Sequence, residues 1–204
     1  MRVVALLTLP LLLAACRPAP CRPIPPNEVA LDSQLVTTAT RAKTVIKAKV
    51  RVDASGRITK QSVYHDDAAS IPEAVRAAAA QRFPSATVLH YESEVYADRG
   101  RVYEVEVDDG GTKCELAATP EGVEVYVECH VDPASLSPEV KATVERVAPG
   151  GTLLEAETKK GPDIDELTIE VDQAGRLLYV RVKPDGTLIE GYRRIPGFLE
   201  VPLE

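Results

Sequence analysis

The chain has 204 residues and a formal charge of −7, with 24 Lys and Arg against 31 Asp and Glu and no Lys/Arg-rich block, which argues against nucleic acid as a partner. Trp is absent, Phe occurs twice and Tyr seven times, so apolar burial falls to Val, Leu, Ile and Ala, a composition suited to sheet with small helices packed on it. The length accommodates one domain of ordinary size or two small ones.

The first predicted element is a signal peptide, residues 1–15. Val3 to Ala15 is apolar except for Thr8 and Pro10, follows Arg2, and falls short of the roughly 20 residues of a bilayer-spanning helix. A conventional cut after Ala15 would place the bulky Leu13 third from the cleavage point, where a small residue is needed. Leu13-Ala14-Ala15-Cys16 instead resembles the lipobox of bacterial lipoproteins. The resemblance implies that Cys16 takes a diacylglycerol thioether, becomes the first mature residue and is acylated, palmitate-like, on its new amine. The alternative is a conventional signal and free secretion. Arg17 is not the aspartate associated with inner-membrane retention, so the expected location is the outer membrane, facing the periplasm. Export to that compartment permits disulfides.

Residues 16–34 form a tether. "RPAPCRPIPP" carries five prolines in ten residues and runs as an extended polyproline-like segment, with the stalk reaching roughly 50 Å at about 3.1 Å per residue. Residues 35–65 read as a hairpin. "VIKAKVRV" alternates Ile46, Ala48, Val50 and Val52 with Lys47, Lys49 and Arg51, "DASG" turns, and "RITKQSVYH" returns.

Two units of one helix plus four strands are then expected, at 66–132 and 133–204. In the first, Ser70 and Glu73 form a capping box, Val75 and Ala79 lie on an apolar stripe and Pro84 stops the helix. Strand-like runs follow near 87–96, 101–108, 113–118 and 123–129. In the second, Ser137 is the N-cap, Pro138 opens the helix and Pro149 ends it, with runs near 152–158, 166–172, 176–183 and 187–194. A shift of 65 superposes Val75 on Val140, Pro84 on Pro149 and Glu92 on Glu157, and a shift of 64 superposes Pro120-Glu121-Gly122 on Pro184-Asp185-Gly186. The fold class expected is α+β, tandem helix-plus-four-strand units forming antiparallel sheet with helices on one face.

"IPEAVRAAAAQRFPSATV" followed by "YEVEVDDGG" and a closing hairpin resembles the PepSY-like domain, whose tandem units are related in architecture to the β-lactamase inhibitory protein. The resemblance covers about Val45 to Arg194. The second unit departs from it, with Ala148 in place of Phe83 and no tyrosine matching Tyr103. The family implies binding or inhibition in the cell envelope and brings no catalytic residues.

Several groupings bear on chemistry. Tyr64-His65-Asp66-Asp67 sets an imidazole beside two carboxylates, in a place where a strand leaves the sheet and polar residues are ordinary. Cys129, His130 and Asp132 with distant Cys114 lack the short paired spacings of a zinc site. Asp163 to Glu166 lacks an EF-hand loop. The sequence has no nucleophile elbow, phosphate loop or H-E-x-x-H motif. No enzyme, cofactor or metal is therefore expected.

Cys114 and Cys129 are expected to form a disulfide across the hairpin that turns at Pro120-Glu121-Gly122, the alternative being two buried thiols. Cys21 would be the spare thiol. Strand parity places Glu104, Glu106, Glu124, Tyr126, Glu128, Tyr179 and Arg181 on the face away from the helices. That face is either simply solvated or a modest binding surface centred on Tyr126, Tyr179 and Arg181, where removing both tyrosines should leave the fold intact. The leading expectation is a non-enzymatic envelope lipoprotein, held to the membrane by its lipid, that binds a protein or peptide and is in its sharper form a hydrolase inhibitor. The alternative is a structural spacer or assembly protein.

Overall fold

The computed structural model describes residues 31–200. The signal peptide, Cys16, Cys21 and nearly all of the tether lie outside them. The elements in chain order are α1 (Ser33–Arg41), β1 (Val45–Val52), β2 (Ile58–His65), α2 (Glu73–Arg82), β3 (Thr87–Tyr96), β4 (Gly100–Asp109), β5 (Thr112–Ala118), β6 (Glu124–Val131), α3 (Pro138–Val147), β7 (Thr152–Gly161), β8 (Ile164–Gln173), β9 (Arg176–Val182) and β10 (Leu188–Arg194). The strands form one antiparallel sheet in which β1 to β10 lie side by side in sequence order. Among the described residues no helix is long and apolar enough to cross a membrane.

Helix α1 was not expected from the sequence. Its segment, SQLVTTATR, carries three poorly helix-forming Thr and buries only Leu35. Asp32 starts it by accepting bonds from the amides of Gln34 and Leu35, and Leu35 packs on Val63 and Val95. Helix α2 corrects another expectation, because Ser70 and Glu73 form no capping box. The Ser70 hydroxyl instead donates to Asp67, which caps a short 3-10 turn over Ala68–Ser70. The helix then starts at Glu73 with no side-chain cap. Helix α3 does use Ser137 as its cap, with the Val140 amide donating to it at 3.3 Å, and Pro138 leads the first turn.

Helices α2 and α3 cover the same face of the sheet. Val75, Ala79 and Phe83 pack on Val105, Val107 and Leu116, while Val140, Val144 and Ala148 pack on Ile169, Val171 and Val180. The sheet curls around its other face. Strands β1 and β10 are not hydrogen-bonded neighbours, yet Arg51 on β1 comes within 3.6 Å of Glu190 on β10 and stacks 4.3 Å from the Tyr192 ring. The result is a trough, with the face free of α2 and α3 on the inside.

Two hairpin turns touch the helix starts closely. Gly122 has φ +80°, and a Cβ there would lie 2.5 Å from the Ala74 carbonyl oxygen; Gly186 has φ +82° and would meet the Glu139 oxygen at 2.7 Å. Replacing Gly122 by Ala is expected to destabilise the fold by more than about 2 kcal/mol, from left-handed backbone and collision together. At Gly56, φ +83° with open space around it, the same change should cost only about 1 kcal/mol. Urea midpoints of the two variants test this, and equal shifts would refute the close approach.

Candidate functional site

Antiparallel register places charged side chains in rows along the trough. One row runs His90, Glu106, Glu115, Glu128, Lys159 and Glu166 across β3 to β8, each residue directly opposite the next. Beside it run Tyr64, Glu92, Glu104, Ala117 and Tyr126. On the other side, His130 faces Glu157, and then Thr168, Arg181 and Glu190 follow.

Most of these charges are paired. The Lys159 ammonium lies 2.9 Å from Glu128 and 3.6 Å from the centre of the Tyr126 ring. Lys60 pairs with Glu94, and the Tyr126 hydroxyl donates to Glu104. Arg181 grips Glu166 through Nη2, at 2.6 and 2.7 Å to its two oxygens, and also pairs with Glu190. His90 sits 2.6 Å from Glu106. His130 stands between Glu155 at 3.1 Å and Glu157 at 3.0 Å, one on each ring nitrogen.

Crowding of carboxylates sets the proton affinities. Burial, reinforced by Glu94 and Glu115, pushes Glu104 up to about 8. Burial also raises Glu92 and Glu115, with neighbouring glutamates adding to it. Glu106 goes the other way: burial opposes its charge, but the His90 bond and the charges of His90 and Lys113 bring it down to about 2. The Glu157 hydrogen bond raises His130. Burial lowers His65.

The signs predict how stability varies with pH. Between its ordinary 4.5 and about 8, Glu104 holds a proton in the fold that the unfolded chain has released, so stability falls as pH rises through that window. Glu92 and Glu115 act in the same direction. His130 does too, because its contribution is present below 6.5 and is lost above its raised value. His65 opposes this below 6.5, and Glu106 takes stability away as pH falls from 4.5 toward 2. The melting temperature should therefore be higher near pH 5.5 than near pH 8. A steady rise over that interval would contradict the buried-carboxyl arrangement.

The structure brings most of the expected surface residues together but not on an open face. Glu104, Glu106, Glu128, Tyr179 and Arg181 line one cleft. Tyr126 has no exposed surface, so it is no surface anchor, and its removal would damage the trough floor. Glu124 departs from the expected face because a bulge at Ala117/Ala118 breaks the parity of β6; it pairs with Arg82 of α2 at 3.8 Å. Cys114 and Cys129 form a disulfide and are directly opposite in the ladder, which removes both as thiolate ligands. Ser93 Oγ lies 3.3 Å from His65 Nε2, but both residues are closed to solvent, so the pair cannot meet a substrate.

The cleft has a volume of about 180 Å³. That is below the roughly 300–1,000 Å³ of pockets that enclose cofactors or drug-sized molecules. It suits an ion or one inserted side chain.

No protein-family model matches the sequence, and no curated protein does. Among solved structures, the chain is similar to a DUF2874 family protein from Bacteroides uniformis, at 16% identity and TM-score 0.48, covering 60% of this chain and 88% of that one. A DUF2874 family protein from Bacteroides ovatus gives 16% and 0.48, covering 60% and 87%. A BLIP-like protein from Bacteroides fragilis gives 16% and 0.48, covering 63% and 89%. At such identities the function has to be read from the site itself.

Sequence reasoning missed Lys60, Glu92, Glu94, Glu115 and Lys159. Their signal was present: "HYESEVY" on β3 alternates Glu92 and Glu94 with Tyr91, Ser93 and Val95, the same period of two that identified Glu104 and Glu106 on β4.

Proposed function

We propose that this chain is a periplasm-facing, non-enzymatic lipoprotein whose trough binds a protein or peptide partner, with restraint of a hydrolase as the sharper form. One observation carries the reading: α2 and α3 leave this face of the sheet free, and its charges of both signs surround a cavity of about 180 Å³. A protruding partner loop carrying one charged side chain fits that space. Tyr179 and Arg181 line it, and Arg51 and Arg194 stand over the Tyr179 ring at 5.8 and 5.0 Å.

The test is capture from envelope extract by the immobilised chain, followed by affinity measurement with the captured partner purified. Replacing Arg51 and Arg194 by Glu should weaken binding about tenfold or more, and added salt should do so progressively. Unchanged affinity in a folded double variant would exclude the trough.

The anchoring residue is Cys16, and the remaining boundaries of the proposal are a tether over 16–34, the N-terminal segment over 35–65 and two PepSY-like units over 66–132 and 133–204. Support for the repeat comes from paired details. Bulges fall at Val88/His90 and Leu153/Glu155, and Gly122 and Gly186 meet the starts of successive helices. Replacing Cys16 by Ser should release the protein from membranes, because several acyl chains on one residue anchor stably where one chain does not. Retention after a high-salt wash would refute the anchor, and recovery of the unsubstituted protein in the inner-membrane fraction would refute the sorting.

A further inference from the structure

Five carboxylates crowd the middle of the trough. Glu92, Glu94 and Glu104 bring oxygens within 4.8 Å of one another, and so do Glu104, Glu115 and Glu128. Glutamates alone do not make a site, but Glu92 has a further property. It is 2% exposed, and neither of its oxygens accepts a hydrogen bond. The nearest ammonium, Lys49, stays 4.0 Å away. Glu92 also stands directly opposite Glu104 in the β3–β4 ladder, where like charges destabilise a sheet.

The neighbouring cations are already engaged. Lys60 pairs with Glu94 and Lys159 with Glu128. Lys49 lies toward Glu92, and Lys47, 4.0 Å from the centre of the Tyr64 ring, also acts on Glu92 and Glu115. Carboxylates still outnumber these ammonium groups, and the protons held by the raised glutamates are what a divalent cation would displace. We propose that the converging carboxylates of Glu92, Glu94 and Glu104 bind a divalent cation, calcium by preference.

The donor set decides the class of ion. All three ligands offer carboxylate oxygens, which suit a hard cation, and calcium takes six to eight oxygens in adaptable geometry. Two of the three are aimed by hydroxyls. Ser62 Oγ donates to Glu94 at 3.0 Å, and the Tyr126 hydroxyl donates to Glu104. Such outer contacts fix the orientation of coordinating carboxylates. The grouping of His130 with Glu155 and Glu157 is a poorer candidate, since both imidazole nitrogens already face carboxylates. The cation site goes beyond the binding reading and stands or falls without it, because it needs no partner protein.

Terbium, an oxygen-seeking calcium mimic, provides the probe. Tyr126 and Tyr96, with hydroxyls 3.2 Å apart, would sensitise its luminescence, and the chain has no Trp to confuse the signal. The full-length chain in detergent should show saturable, one-to-one luminescence that calcium reverses at lower concentration than magnesium. Glu92→Gln should weaken binding about tenfold or more, Glu92→Asp less, and Glu121→Gln on an exposed turn not at all. Calcium should also raise the melting temperature of the unsubstituted chain and fail to raise that of the folded Glu92→Gln variant. Absence of saturable luminescence at mildly alkaline pH, or the same calcium-induced rise in the Glu92→Gln variant, would overturn the site and leave protons to neutralise the carboxylates. Because no partner enters these measurements, their failure is distinguishable from a failure of the binding reading.

Discussion

Lys159→Met is expected to destabilise the fold by about 3–5 kcal/mol, the cost of removing one member of a buried ion pair and stranding the other. Lys159 is 9% and Glu128 6% exposed, and the ammonium is 2.9 Å from the carboxylate. Burial opposes the charge on Lys159, but Glu128 holds the ammonium well above its ordinary range. Once the lysine is gone, Glu128 keeps the Thr168 hydroxyl at 3.3 Å and faces Glu115 across the ladder. Domains of this kind are stable by only about 5–15 kcal/mol, so the single change should remove a large share. Adding Glu128→Gln should recover most of the loss, because a neutral amide leaves no stranded charge. Urea unfolding of the two singles and the double completes the cycle. A loss below about 1 kcal/mol in Lys159→Met would show that the buried pair with Glu128 contributes little to stability.

Cys114→Ala with Cys129→Ala is expected to cost about 3 kcal/mol, the chain-entropy value for a closed loop of this length. The cysteines are 15 residues apart in sequence, at the end of the β5–β6 hairpin remote from its turn. Cys114 is also part of the core under α2, with Val107, Leu116 and Val127 around it, so the substitution loses packing as well. Reduction without substitution separates the two contributions, since the thiols still fill their places. The urea midpoint should fall on adding reductant, and alkylation of the denatured, unreduced protein should label neither residue. Equal midpoints with and without reductant would refute the stabilising role of the bridge.

Strand positions were legible because their period of two is written in side-chain polarity. Val105 and Val107 alternate with Glu104 and Glu106, and β4 occupies the expected stretch to within a residue or two. Helix α3 was legible through Ser137 and Pro138. Helix α1 was not, because a segment held by one leucine and an aspartate cap carries almost no periodic signal. The misplacement of Glu124 has a different cause: a bulge inserts one residue into a strand and reverses every parity beyond it, and nothing in "EVYVECH" marks where it falls. The curl was the main loss. Alternation says which residues share a face, but not that Arg51 of the first strand will meet Glu190 of the last. Without that closure, Glu104, Glu106 and Glu128 read as solvated, whereas folded they are 3%, 8% and 6% exposed.

The strictly sequential strand order also bears on how the molecule assembles. Seven of the nine neighbouring pairs, all except β2–β3 and β6–β7, are plain hairpins, so their partners start close together and little loop entropy has to be lost before contacts form. The other two must wait for α2 or α3 to find its place on the sheet. Assembly should therefore spread outward from hairpins, with those two junctions as its slow points. The Arg51 contact with Glu190 spans nearly the whole described chain and belongs to the last stage, when the trough draws its two rims together.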